Sequence, residues 1–177
     1  MNTPFYLRLK MKYLPIENIT YKTRLNEEEL YRRLSNSMEP EKRLRFSFFG
    51  SSSTKTYEGK MSGQTFNMKR IIRYRNSFLP RITGIIEKDF DGLTITVKMR
   101  LHILVTVFLC FWCTGVGLAS VAVLTQVISH SEFYPQTMIP FGMLIFAYVI
   151  TMGGFKFESN KSKKDLQALF EADIIEA

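Results

Sequence analysis

Two stretches of this sequence have no charged side chain. Lys, Arg, Asp and Glu are absent from Leu101 to Ser131 and again from Phe133 to Phe155. A helix on the surface of a soluble domain needs a polar face, so these runs cannot take that role, and a core helix would have to be hidden on every side. The first run contains "ILVTVFLCFWCTGVGLASVAVLTQVI", Ile103 to Ile128. At 1.5 Å per residue it makes about 39 Å of helix, enough to cross a hydrocarbon layer of roughly 30 Å with some tilt. The second, "MIPFGMLIFAYVITMGGF", Met138 to Phe155, sits at the short end of the spanning range of about 17–25 residues. Pro140 falls near its start and Gly153-Gly154 at its end, where each is tolerated.

Cysteine and histidine are scarce as well. The two cysteines, Cys110 and Cys113, form a C-x-x-C inside the first run, and the two histidines, His102 and His130, flank it. Spacing of i, i+3 puts both thiols on one helix face. A thiolate is disfavoured in hydrocarbon, so small, buried helix-packing residues are the expectation, with a redox pair or metal contact as the alternative. Four zinc ligands cannot gather there, and histidines about 40 Å apart along a helix cannot share a haem. Nucleotide-loop, serine-hydrolase and zinc-protease motifs are all missing. No cofactor, metal or catalytic residue is expected, and the chain does not read as an enzyme. Its N-terminus lacks the apolar core of a signal peptide.

Charge is unevenly placed. Residues 1–101 hold 20 of the 24 Lys and Arg but 10 of the 16 acidic residues, while the tail from Lys156 is nearly neutral. Lys98 and Arg100 precede the first run, Lys156, Lys161, Lys163 and Lys164 follow the second, and the link "SHSEFYPQT" has neither Lys nor Arg. By the positive-inside rule both flanks face the cytoplasm, with Phe133 and Tyr134 at the outer interface. The expected organisation is a cytoplasmic α+β domain (1–101), a transmembrane helical hairpin (102–155, spans about 103–128 and 138–155) and a helical cytoplasmic tail (156–177). The plasma membrane, or the inner membrane of a cell with two, is the expected location.

The first hundred residues read as an antiparallel sheet of five to seven strands with one short helix. "FYLRLKMKY" and "ENITYKTRL" alternate with the two-residue period of half-buried strands. Asn26 with Glu29 starts a helix carrying Leu30 and Leu34. "RLRFSFF", "YEGKMS", "TFNMKRIIRY", "RITGIIEK" and "LTITVKMRL" follow, the last two joined by a turn containing Asp91-Gly92. "GSSST" reads as a loop.

"MKRIIRYRNSFLPRITG" places Lys69, Arg70, Arg73, Arg75 and Arg81 close together. Continued as a strand, it aligns Lys69, Arg73 and Arg75 on one face, with Arg81 near, and Phe66, Met68, Arg70, Ile72 and Tyr74 on the other. Such a face is either a solvated surface that discourages edge aggregation or a contact for anionic lipid headgroups or an acidic membrane protein. No nucleic-acid fingerprint accompanies it. Gly115 and Ala119 in the first span, with Gly142 and Ala147 in the second, are the expected close-packing positions of the hairpin, or else of an oligomer.

The stretch "YRNSFLPRITGII", followed by "VKMRLH" and a Trp-containing apolar span, resembles a family of small, uncharacterised bacterial two-span membrane proteins. The resemblance implies that architecture and a bacterial origin, a structured turn at Arg75–Pro80, and no particular activity. The function expected is a membrane-anchored binding module. An accessory or assembly subunit of a larger membrane complex is the alternative, and a membrane-associated enzyme is less favoured.

Overall fold

The structure, a computed structural model, describes residues 13–40, 55–130 and 135–176. The strand expected from Phe5 lies outside these except for Tyr13, and "RLRFSFF", "GSSST", Phe133 and Tyr134 lie outside as well.

Seven strands form one sheet: β1 (Ile16–Thr23), β2 (Met38–Pro40), β3 (Tyr57–Ser62), β4 (Thr65–Arg70), β5 (Arg81–Asp89), β6 (Gly92–Arg100) and β7 (Asp173–Glu176). Their order is β2-β3-β4-β5-β6-β1-β7. All neighbours pair antiparallel except β2 with β3, whose parallel pairing departs from an all-antiparallel expectation. Strands β2 and β3 are not joined by a tight turn, so the long connection a parallel pair requires is present. The helix expected after Asn26 is α1 (Glu27–Ser37), and its cap is the one read from sequence: the Glu29 N–H donates to Asn26 Oδ1 at 2.7 Å.

Alternation then sorts the sheet into two faces. Ile19 and Tyr21 (β1), Phe66 and Met68 (β4), Ile82 and Ile86 (β5), and Ile95, Val97 and Met99 (β6) point to the core face and are buried. Gly84 stands opposite Phe66 in the ladder, and a Cβ there would lie 2.0 Å from the ring. Glycine is what lets that ring lie flat on β5.

Two helices follow β6. The first, α2 (Ile103–His130), begins where His102 Nδ1 accepts from the Leu104 N–H at 3.2 Å. The second, α3 (Ile139–Phe170), is 32 residues long and has no break. Both are long and apolar enough to cross a membrane, and their most apolar 18-residue windows are only 6% and 11% buried. Core helices of a soluble protein would be mostly covered.

The boundary expected at residue 155 therefore falls inside a continuous helix, and residues 156–170 are not a separate tail. They lie on the core face of the sheet, where Phe155, Leu166 and Phe170 are fully buried with Leu30 and Leu34 of α1. Phe170 packs edge-on against Tyr21, ring centroids 5.6 Å apart, and against Phe66 at 6.2 Å. The helix ends with Glu171 in the left-handed region (φ 44), the Ala172 N–H bonding back to Gln167 O and the Glu171 N–H to Ala168 O. This is a Schellman stop. Thr23 Oγ1 also donates to Phe170 O at 2.6 Å, and β7 then pairs with β1. Chain closure at the far edge of the sheet depends on α3 arriving there.

Phe170→Ala should accordingly cost about 3–5 kcal/mol, the usual loss for a buried aromatic. A chain stopped after Phe155 should lose the cooperative unfolding of the sheet. Denaturant titration of the detergent-solubilised protein checks both, and a truncated chain that unfolds like the parent would show 156–177 to be a dispensable tail.

Candidate functional site

The basic stretch does not run on as a strand. Strand β4 ends at Arg70, the Ile71 N–H makes a last bond to Thr56 O at 2.9 Å, and residues 71–80 form a loop. That loop clasps α3. Asn76 Oδ1 accepts from the Phe78 N–H at 2.9 Å and its Nδ2 donates to Gly154 O at 3.3 Å. Phe78 lies so close to Gly154 that a Cβ there would be 3.0 Å from the ring. Gly154 therefore forms a notch for Phe78 within α3 and does not end the helix.

Further along, the Tyr74 hydroxyl donates to Glu158 Oε1, and Arg70 pairs with Asp165 at 2.9 Å. Glu158 and Asp165 are seven residues apart, two turns on one flank of α3. The opposite flank repeats the device with reversed sign. Lys156 and Lys163, also seven apart, both pair with Glu17 of β1, Lys156 at 2.6 Å. Glu17 is 6% exposed. Burial alone would raise its carboxyl, but the hydrogen bonds and charges of the two lysines outweigh this and hold it below the ordinary carboxylate range. Desolvation, with Glu158 beside it, pushes the Tyr74 hydroxyl up to about 12. Burial likewise pushes up Tyr21 and Tyr57 on the sheet beneath.

Arg70 is thus occupied in holding α3 and is not part of an outward basic surface. Arg73 and Arg75 are exposed on the loop and do not line up with Lys69. The expected alignment of cations along one strand is replaced by an alignment across three. Lys69 of β4, Arg81 of β5 and Arg100 of β6 are consecutive ladder partners on the outer face. At about 4.8 Å between strands they fall within roughly 10 Å of one another. Lys98 lies two residues along β6 on the same face. Lys69 is balanced by Glu58 at 3.5 Å. Arg81, Lys98 and Arg100 are exposed and form no ion pair with a described acidic residue. Glu58, with Glu39 beyond it, continues the row on β3 and β2, while on β5 the acidic side chains of this face lie at the other end, where Asp89 pairs with Lys22 at 3.1 Å. The cations crowd the end from which α2 leaves.

Protection of a sheet edge does not explain them, because β5 and β6 are central strands. Like charges on directly opposite residues destabilise a ladder. Arg81 opposite Arg100 is a small standing cost that an anion would relieve.

The helix-packing residues fall elsewhere than expected. The covered positions of α2 are Val105, Leu109, Trp112, Val116, Ser120, Val123 and Val127, a stripe with three- and four-residue steps, with Gly117 beside it. Gly115 and Ala119 are exposed beside it, and neither Gly115 nor Gly142 would bring a Cβ within 4 Å of any neighbour. Ala147 is half-buried. Cys110 and Cys113 are free thiols exposed outside the seam, not buried within it. Among the described residues no three His, Cys, Asp or Glu side chains gather into a metal site. Comparison with family models, with curated proteins and with solved structures finds no match to this chain.

The Glu17 clamp has a definite pH signature. A carboxylate depressed in the folded state adds stability above its ordinary pKa of about 4.5, and that stability is lost as pH falls through the lower folded value. Glu17→Gln should cost about 2–3 kcal/mol at neutral pH, less than a fully buried pair because the lysine heads are partly solvated. It should also flatten the acid limb of the stability curve below pH about 4.5. Unfolding of parent and variant across pH 3–7 checks this, and parallel curves would show that the clamp contributes nothing.

Proposed function

We propose that this protein is a membrane-anchored binding module whose sheet domain holds anionic lipid headgroups at the end where α2 leaves it. The hairpin of α2 and the first half of α3 crosses the bilayer, and both termini lie in the cytoplasm. The orientation is supported by the lysines and arginines that flank the spans and are missing from the link between them. The observation that carries the reading is the group Arg81, Lys98 and Arg100, exposed on central strands and without an acidic partner among the described residues. Arg100 stands three residues before α2 begins. A negative leaflet contributes roughly 1 kcal/mol per basic residue held near it. Three such residues together therefore matter, and guanidinium groups suit the bidentate geometry of phosphate.

Reporter fusions at Ala177 and near Gln136 test the orientation: the former should report cytoplasm and the latter the opposite side. An extracytoplasmic Ala177 would invert the hairpin or reduce it to one span.

For the binding reading, the full chain is placed in phosphatidylcholine nanodiscs with and without phosphatidylglycerol. The anionic lipid should raise the unfolding midpoint of the sheet domain, less so as salt is added, because exposed charges are screened over about 8–10 Å. Arg81→Gln, Lys98→Gln and Arg100→Gln together should remove most of that rise. In neutral discs they should leave stability within about 0.5 kcal/mol of the parent, as for other solvated surface positions. A folded triple variant that keeps the full rise would assign the cations to an acidic protein and overturn the lipid reading.

A further inference from the structure

The geometry points to one specific occupant beside these cations: a single anionic glycerophospholipid, its phosphate on Arg81, Lys98 and Arg100 and an acyl chain laid between α2 and α3. The inference rests on the headgroup reading above and adds a discrete site to it. The outer face of the sheet, α2 and α3 enclose a groove of ≈ 870 Å³, within the usual range of about 300–1,000 Å³ for small-molecule sites. Its charge is confined to one end. The three cations and Thr83 stand at the sheet end beside Leu14, Pro15 and Ile16, and Thr106 and Thr151 follow on the first turns beyond it. Leu109 and Cys113 of α2 and Leu144 and Ala147 of α3 close the deep end.

Charge and length both select the occupant. Guanidinium and ammonium groups with no described acidic partner at one end call for an anion, and the apolar far end calls for hydrocarbon continuous with it. Cys113 lies ten residues beyond Ile103, about 15 Å along the helix, which is half of the roughly 30 Å hydrocarbon thickness. The groove therefore has the reach of one leaflet, as a phospholipid of that leaflet requires. A soluble phosphate would leave the deep end unfilled, and a zwitterionic lipid would bring its own cation beside the phosphate and leave the excess positive charge uncompensated.

Cys113 can report occupancy. In the full chain carrying Cys110→Ser, purified in neutral detergent, Cys113 is the only thiol, and its alkylation by a maleimide is timed. Phosphatidylglycerol at about ten times its dissociation constant should slow the reaction roughly tenfold. Phosphatidylcholine and glycerol phosphate at equal concentration should not, and Arg81→Gln with Arg100→Gln should abolish the protection. Equal protection by phosphatidylcholine would reduce the groove to ordinary lipid contact and overturn the proposal. Equal protection by glycerol phosphate, or protection that survives the arginine changes, would overturn it as well. If phosphatidylglycerol raises the unfolding midpoint in nanodiscs but leaves Cys113 unprotected, the groove assignment falls and the headgroup reading stands. Loss of both effects removes the headgroup reading too.

Discussion

Helix α3 runs from an all-round apolar segment onto the core face of the sheet without interruption, and the rest of the architecture depends on that continuity. Its first half is apolar on all sides, and its second half is buried on one face only, through Phe155, Ser159, Ser162, Leu166 and Phe170. Such a helix could slide or rotate on a sheet whose core face is mostly aliphatic. The ion pairs prevent this. Glu17 holds Lys156 and Lys163 on one flank, while Tyr74 and Arg70 hold Glu158 and Asp165 on the other. Half-buried pairs of this kind add modest net stability, since desolvation offsets much of the attraction, but stranding the buried Glu17 or Glu158 without its partner is costly. Turning α3 by two residues, about 200°, would bring carboxylates toward Glu17 and ammonium groups toward Arg70. Register is what the charges secure, and the aromatic contacts of Phe170 supply the energy.

The same continuity removes any hinge between the sheet and the apolar hairpin. Only Leu101 and His102 separate β6 from α2, and Leu101 is itself buried. Helix α3 returns as a rigid rod, gripped at Gly154 by the 71–80 loop. With both connections stiff, the orientation of the sheet relative to the hairpin is set, and so is the place at which its outer cations meet the apolar helices. A flexible tether would leave a basic domain to find anionic groups by diffusion. Here the end of the face is already positioned, and the entropic cost of bringing it there has been met in folding.

Local chemistry made part of this legible from the residues. Period-two alternation marked β1, β5 and β6, and the Asn26–Glu29 cap marked α1, because these signals lie within a few residues of one another. The second half of α3 was obscured for a physical reason. Its buried face contains Glu158, Ser159 and Ser162 where a hydrophobic pattern expects apolar side chains. A signal existed in the seven-residue repeats Lys156–Lys163 and Glu158–Asp165, which place like charges on single flanks of a helix long enough to have two partners. Strand β4 was read too long because Ile71, Ile72 and Tyr74 continue the alternation. What stops it is the demand of α3 for a clasp, a tertiary constraint with no local trace beyond the Asn76 turn and Pro80.

The basic stretch shows why its function could not be read along the chain. Successive residues of a strand serve opposite faces, so Arg70 and Lys69, adjacent in sequence, belong to different machinery. Arg70 binds a helix, and Lys69 starts a row that continues on two other strands. Charge density in a linear window adds these roles together, whereas the pleat separates them. Once the register is known, the row at Arg81 and Arg100 stands out, because it lies on central strands, sets like charges opposite each other and forms no ion pair with a described acidic residue. An arrangement that lowers the stability of the isolated chain without protecting an edge is explained best by something outside the chain. Its position beside the base of α2, above a groove that carries charge at one end only, is what favours the proposed occupant, with a phosphate at one end and a hydrocarbon chain at the other.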